Sequence, residues 1–155
     1  MLRREMMARG SIHHLALTVS DLARSAEFYD KVLGFLGYVR DEVPEVTQQA
    51  MKTRLLAWAS PNGAVTMRPS KGESAHKTHD RNAPGLNHLA LAAESRAGVE
   101  RMYDLLKEMG AQILDAPAEY SYFPGYYAVY FTDPDGLKLE FVYCPQPQLS
   151  GESKA

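Results

Sequence analysis

Cysteine is nearly absent from this chain, which has 155 residues and one cysteine, Cys144. A single cysteine excludes a disulfide within the chain, which suits the reducing conditions of the cytoplasm, where we expect the protein to reside. Cys144 stands beside Pro145 at the end of the last predicted strand. We therefore interpret it as a structural residue and not as a catalytic thiol.

Strong charge and long apolar runs are also missing. The formal net charge is −2, and the 17 basic residues are scattered along the chain. This pattern argues against a nucleic-acid partner, which needs a concentrated basic face, and against a polybasic membrane anchor. Residues 1–10 are polar and lack the apolar stretch of a signal peptide or a membrane span, so we expect a flexible N-terminal tail there.

What remains is the composition of an ordinary globular protein, with 45% hydrophobic and 23% charged residues. The length suits one domain with a sizeable core. We place that domain at residues 11–145, between the N-terminal tail and a C-terminal tail at 146–155.

The first half of the chain predicts a strand, a helix and further extended segments. Residues 11–19 alternate between two faces, of which one is mostly apolar, as a half-buried strand does. A helix capped by Ser20 or Asp21 runs to about Leu33, and Gly34 ends it. The remaining predicted elements are extended segments at 38–46 and 49–60, a tight turn at 61–63 and a strand at 64–68.

The second half repeats this scheme after a polar linker at 69–85. Its helix is predicted at 96–109, with Gly110 ending it. The other predicted elements are a strand at 86–92, a short strand near 112–114, a loop rich in Tyr and Pro at 117–125, a strand at 126–132, a turn at 133–136 and a last strand at 137–143.

Three matching landmarks indicate an internal duplication. They are HHLAL at 13–17 with NHLAL at 87–91 (88 − 14 = 74 from His14 to His88), Tyr29-Asp30 with Tyr103-Asp104 (103 − 29 = 74), and the turns that end at Gly63 and Gly136 (136 − 63 = 73). The fold class is therefore α+β, with two tandem βαβββ modules at about 11–70 and 86–145.

Equivalent positions in the two modules carry residues that bind metals. His14 and His88 both lie on a first strand, on the face opposite the leucines. In the last strand, Leu139 and Phe141 take the apolar face, which leaves Glu140 on the other face. Two imidazoles and one carboxylate make a facial triad for Fe(II), Mn(II), Zn(II) or Ni(II), with positions left open for substrate or water.

The duplication also suggests what stands opposite Glu140 in the first module. Glu140 lies four residues after Gly136, and the residue four after Gly63 is Met67. A thioether is a poor ligand for a hard divalent ion. We therefore interpret Met67 as part of the pocket wall and expect three protein ligands, not four.

Three segments together closely resemble the vicinal oxygen chelate superfamily, which includes glyoxalase I, extradiol dioxygenases, fosfomycin-resistance transferases and bleomycin-resistance proteins. They are HHLALTVSDLARSAEFYDKVLGF, GLNHLAL and DPDGLKLEFVY. The resemblance covers about residues 11–144. It implies a cupped mixed β-sheet with helices on the outside, a metal held by His14, His88 and Glu140, and a substrate that chelates this metal through neighbouring oxygens.

The positions where this sequence departs from the family pattern show which reactions of the family are favoured. Glyoxalase I enzymes typically carry a second glutamate at the position assigned to Met67, which disfavours their lyase chemistry. Fosfomycin transferases need basic groups around a phosphonate, and residues 115–131 contain no Lys or Arg. Bleomycin-binding relatives lack the metal ligands. Extradiol dioxygenases share the two-His, one-Glu triad, so the resemblance favours an oxygenase with one Fe(II) per site acting on a small catechol-like or other enolisable substrate.

The other two functions stay open as alternatives: a lyase or isomerase related to glyoxalase I, and a protein that only binds a small ligand. For an enzyme, Tyr126 and Tyr130 are candidate catalytic residues because they share one strand face. His79, with His76, is a candidate proton shuttle in the linker. Analogy with the family further implies a homodimer.

Overall fold

A computed structural model describes residues 9–145 of the chain. Most of the predicted N-terminal tail, residues 1–8, and the whole predicted C-terminal tail, 146–155, lie outside the described residues. The chain divides into two compact units, Met1–Lys77 and Thr78–Ala155. The boundary falls inside the predicted linker at 69–85. Within residues 9–145, no helix is long and apolar enough to cross a membrane.

The first unit is built around a four-stranded mixed sheet in the order β1-β4-β3-β2. Strands β1 and β4 are parallel, and the other neighbours are antiparallel. Its elements are β1 (His14–Val19), α1 (Leu22–Phe35), β2 (Val39–Asp41), α2 (Glu45–Met51), β3 (Leu56–Ser60), β4 (Gly63–Pro69) and a 3₁₀ helix (Gly72–His76).

The second unit has the same topology, with the strand order β5-β8-β7-β6 and one parallel pair, β5 with β8. Its elements are β5 (Leu89–Ala92), α3 (Arg96–Glu108), β6 (Ile113–Glu119), β7 (Tyr127–Thr132) and β8 (Lys138–Tyr143). The α+β class and the tandem βαβββ modules predicted from the sequence are thus confirmed.

Helix α1 begins where expected and ends later than expected. The Asp21 side chain accepts hydrogen bonds from the Ala23 and Arg24 amides and so caps the first turn. Gly34, predicted to end the helix, lies inside it. The end is formed by Gly37 at φ 82°, with the Tyr38 amide donating to the carbonyl of Leu33. This αL termination needs the glycine that comes three residues after the one predicted.

Helix α2 was not predicted, since the sequence analysis expected extended segments at 38–46 and 49–60, and it contains two β-branched residues, Val46 and Thr47. The Gln48 side chain holds this short helix at both ends: its amide donates to the carbonyl of Val43, and its oxygen accepts from the Leu55 amide. The two capping bonds offset the weak helix propensity of the β-branched residues. None of the residues of α2 is buried.

Two boundaries in the second unit also differ from the prediction. Strand β5 begins at Leu89, so His88 lies just before the strand and not on it. Strand β6 continues through Pro117 to Glu119, whereas the sequence predicted a loop from Pro117. Proline is tolerated there because β6 is an edge strand, where its missing N–H need not pair, and the β6–β7 register shifts nearby.

The strand registers correct the residue that matches Glu140 in the first unit. Glu140 pairs with Ala90 in β5, and Ala90 matches Ala16 in β1, whose partner is Thr66. The match to Glu140 is therefore Thr66, at an offset of 140 − 66 = 74. Glu140 lies four residues after its turn glycine, Gly136, whereas Thr66 lies only three after Gly63, so counting four from each glycine gave Met67, one position away. A slip of one residue moves a side chain to the opposite face.

Met67 therefore does not line the pocket. It pairs with Leu17, whose face is turned toward the core, and it is fully buried. The conclusion drawn from Met67 still holds for Thr66: the first unit carries no carboxylate at the position that matches Glu140.

This register can be tested by comparing two neighbouring substitutions. We expect Met67→Ala to lower the free energy of unfolding by about 2–5 kcal/mol, because it removes a buried side chain and leaves a cavity. Thr66→Ala, on the half-buried opposite face, should cost less than about 1 kcal/mol. Urea unfolding followed by circular dichroism measures both, and equal costs would contradict the register.

Candidate metal centre

Glu140 lies in the middle of β8, between β5 and β7, and only 1% of its surface is exposed. The turn before β8 fixes this position. The Asp133 side chain, itself buried, accepts hydrogen bonds of 2.9 Å from the amides of Asp135 and Leu137. An ionised carboxylate in such a place is costly unless donors or a cation satisfy it.

Two tyrosine hydroxyls satisfy one oxygen of this carboxylate. Tyr130 donates to Glu140 Oε1 at 3.0 Å, and Tyr126 donates to the same oxygen. Burial, and secondarily the nearby Glu140 carboxylate, raises the pKa of both phenols above the ordinary value. Both phenols therefore keep their protons and act as hydrogen-bond donors near neutral pH.

The other carboxylate oxygen faces His88. The distance from Glu140 Oε2 to His88 Nε2 is 3.2 Å, and the imidazole remains 37% exposed. Ligands bound about 2.1 Å from a divalent ion lie about 3.0 Å apart at the right angle of an octahedral site and about 3.4 Å apart at the tetrahedral angle. The pair thus has the separation of two neighbouring ligands of one ion, and its outer side is open.

The residue before His88 sets the orientation of its imidazole. Asn87 donates through its amide nitrogen to the carbonyl of Arg81, so its Oδ1 is the acceptor for His88 Nδ1, at 2.8 Å. In a neutral imidazole this leaves the Nε2 lone pair directed at Glu140. Two acceptors at 3.2 Å attract each other only through a proton or a metal ion between them.

The first unit repeats this arrangement at His14, the first residue of β1. The preceding residue, His13, contacts it between the two Nδ1 atoms at 3.0 Å, which again leaves Nε2 available. Within the second unit, over the described residues 78–145, His88 and Glu140 have no third His, Cys, Asp or Glu to complete a metal group. The role of His14 as third ligand stays a prediction.

The two linker histidines occupy different units. His76 ends the exposed 3₁₀ helix of the first unit. In the second unit, the His79 amide donates to the carbonyl of Asp135 at 2.9 Å, which ties His79 to the turn before β8. Its Nδ1 is enclosed and has no hydrogen-bond partner among the described residues. No hydrogen bond joins His79 to His88 or Glu140 over those same residues, and its role as a proton shuttle stays a prediction.

Tyr126 belongs to an aromatic loop at residues 120–126. Tyr120 stacks on Tyr122, with ring centroids 5.4 Å apart, and meets Tyr130 edge to face at 5.3 Å. The Tyr120 amide donates to the carbonyl of Tyr126, which closes the loop. Residues 119–125 line an open pocket of about 460 Å³. Aromatic rings therefore extend from the Glu140 carboxylate toward solvent at Tyr122.

Sequence reasoning missed two residues near this carboxylate, Asn87 and Lys138. Asn87 could have been found because it matches His13 in the repeated motif. Lys138 lies on the same strand face as Glu140, two residues away, and its ammonium is 4.1 Å from the centroid of the Tyr130 ring. Lys138 could have been found because side chains two residues apart on a strand point to the same face, which places it beside Glu140.

The family model named Glyoxalase/Bleomycin resistance protein/Dioxygenase superfamily matches residues 11–141. The chain belongs to this superfamily. It is the vicinal oxygen chelate superfamily that the three sequence motifs resemble, and its tandem-module fold is the one seen in the two units.

Three known proteins match most of the chain. The protein YqjT of Bacillus subtilis (strain 168), itself uncharacterized, is 30% identical over 84% of this chain and 97% of its own length. A candidate glyoxalase from Bacillus halodurans has a TM-score of 0.74 at 30% identity, covering 88% of this chain and 97% of that one. A glyoxylase/bleomycin resistance protein/dioxygenase domain from Frankia sp. EAN1pec has a TM-score of 0.69 at 23% identity, covering 90% and 96%.

The hydrogen bond from Tyr130 to Glu140 should contribute to the stability of the fold. We expect Tyr130→Phe to lower the free energy of unfolding by about 1–3 kcal/mol, because the buried Glu140 carboxylate loses a donor. Tyr122→Phe is the matched control: its side chain is largely exposed, and the same change should stay within about 0.5 kcal/mol. Chemical unfolding of the metal-free protein measures both, and a neutral Tyr130→Phe would show that Glu140 does not need this bond.

Proposed function

We propose that this vicinal oxygen chelate protein is an enzyme that depends on one divalent metal, held by His14, His88 and Glu140. The observation that carries the proposal is the pair formed by His88 Nε2 and Glu140 Oε2, 3.2 Å apart with an open outer side. The repeated contact to Nδ1 supports His14 as the matching ligand in the first unit. Fe(II) is the favoured ion, and Mn(II), Ni(II) and Zn(II) are alternatives.

The surrounding residues prepare the carboxylate for this role. Tyr126 and Tyr130 occupy Oε1 and hold the carboxyl group in one orientation, so that Oε2 is the oxygen left for a metal. Asn87 does the same for the imidazole. The ion would supply Lewis acidity, holding two substrate oxygens and stabilising negative charge that develops on them. The two tyrosines act here as positioning residues, and their catalytic contact with substrate remains part of the proposal.

The favoured reaction is an extradiol-type oxygenation of a catechol-like substrate. In that reaction a carbon–carbon bond next to the diol breaks, and both atoms of O₂ enter the product. The aromatic loop supports a planar substrate, because stacked and edge-on tyrosines lie next to the carboxylate. Thr66 also favours oxygenation over glyoxalase chemistry, since a glyoxalase-type site would need a carboxylate where Thr66 lies.

A lyase or isomerase related to glyoxalase I is the second candidate, favoured by the likeness to the candidate glyoxalase from Bacillus halodurans. A protein that only binds a small molecule is the third. The ordered pair of His88 and Glu140 argues against this last candidate, because a simple binding pocket has no need of a buried carboxylate that faces an imidazole.

The proposal includes a cytoplasmic homodimer that acts on a small molecule, without nucleic-acid or membrane partners. The homodimer rests on analogy with the family.

Metal analysis tests the ligand set. We expect about one metal per chain in the purified protein, and its loss in His14→Ala, His88→Ala and Glu140→Ala, since each change removes a ligand. Elemental analysis by mass spectrometry gives the metal-to-protein ratio. His76→Ala is the control for removing an exposed histidine and should keep the metal.

Replacing Asn87, which orients the His88 imidazole, should weaken metal binding less than replacing a ligand does. Asn87→Ala should weaken metal binding by about 10–100-fold in a competition with a chelator, because the imidazole loses its partner. A protein that takes up none of Fe(II), Mn(II), Ni(II) or Zn(II) would contradict the enzyme and leave the binding protein.

Oxygen dependence separates the two reaction classes. The protein loaded with Fe(II) should consume O₂ when catechol is added, at least tenfold faster than the Glu140→Ala variant, because oxygenation needs both the metal and O₂. An oxygen electrode records the rate. Turnover of a hemithioacetal under anaerobic conditions, with Ni(II) or Zn(II) bound, would instead establish the lyase.

A further inference from the structure

We propose that Lys138 binds a negatively charged group of the substrate, so that this protein selects a chelating ligand which also carries an anionic substituent such as a carboxylate. The inference rests on the proposed function, since it concerns a ligand held at Glu140. It names the chemical class of that ligand and a residue that determines specificity.

The first argument is the position of Lys138 in the sheet. Lys138 and Glu140 are two residues apart on β8 and therefore point to the same face. Thr132 and Tyr130 on β7 are their respective partners across the strand pair. The face away from α3 thus presents a cation beside the carboxylate that the metal would occupy.

The second argument is how the side chain is held. The Lys138 ammonium lies 4.1 Å from the centroid of the Tyr130 ring, while the hydroxyl of the same tyrosine donates to Glu140 Oε1. One aromatic ring therefore sets the spacing between the ammonium and the carboxylate. A cation held on a ring face loses less conformational entropy on binding a ligand than a free lysine does.

The third argument is charge. Among the carboxylates that the structure describes, none forms an ion pair with Lys138. The two oxygens of Glu140 already contact other side chains: Oε1 accepts from Tyr126 and Tyr130, and Oε2 faces His88. Asp115, which shares the face through its pairing with Tyr130, lies on β6, two strands from β8 and so about 10 Å away. The ammonium is left to a ligand or to water.

A second lysine provides a matched control. The Lys107 ammonium lies 4.4 Å from the centroid of the Tyr103 ring, but on α3, and it is ion-paired with Asp104 at 2.8 Å. Lys107 has the same kind of contact as Lys138 without the neighbouring carboxylate. Replacing it removes an ammonium from a tyrosine ring elsewhere in the same unit.

The test compares two diols that differ only in one carboxylate. Calorimetry with the metal-loaded protein, without O₂, should show 3,4-dihydroxybenzoate binding about tenfold more tightly than catechol. In Lys138→Met the two affinities should become equal, because the carboxylate has lost its partner. Lys138→Arg and Lys107→Met should keep the preference. Circular dichroism checks that each variant is folded.

A third probe separates this inference from the proposed function. Benzoate has the carboxylate but no neighbouring hydroxyls, so its binding to the metal-free protein should depend on Lys138 alone. Loss of benzoate binding in Lys138→Met, together with no binding of catechol to the loaded protein, would overturn the metal function and support the anion site. Catechol binding with a carboxylate preference that survives in Lys138→Met, or with no preference in the natural protein, would overturn the anion site only.

Discussion

The burial of one carboxylate constrains the second unit more than any other interaction. Glu140 is almost fully enclosed in the central part of a sheet, where an unpaired negative charge would cost several kcal/mol. Tyr126 in the aromatic loop and Tyr130 on β7 donate hydrogen bonds to one oxygen of this carboxylate, and His88, in the segment before β5, faces the other oxygen. The parallel pairing of β5 with β8 and the closed loop at 120–126 bring these three side chains to Glu140.

Much of this arrangement could be read from the sequence. The repeated HLAL motif located both histidines, and the alternation of Leu139, Glu140 and Phe141 placed the carboxylate on the face away from the apolar residues. The sequence also grouped Tyr126 with Tyr130, and both hydroxyls donate to Glu140, although Tyr126 lies in the loop before β7. These features follow from side-chain periodicity, which depends on the strand alone, and so they survive errors in the boundaries of neighbouring elements.

The features that could not be read depend on strand register and on capping. Matching the turn glycines placed Met67 where Thr66 belongs, because the matching residues stand at different distances from the two turn glycines and strand register follows hydrogen bonding, not motif position. Helix α2 depends on two side-chain bonds of Gln48, and the end of α1 depends on which of two glycines adopts a positive φ. Such choices are decided by contacts outside the local pattern.

The small side chains of the first unit have a consequence for how this protein can change over evolutionary time. Where the second unit has Ala90, Glu140 and Tyr130 in one row, the first has Ala16, Thr66 and Ala57. None of these three carries a charge that would be stranded by substitution, whereas a change at Glu140 or Tyr130 breaks a buried network. Substitutions in this row of the second unit are therefore constrained by its electrostatics, whereas the matching row of the first unit can accept new side chains at a smaller cost in stability.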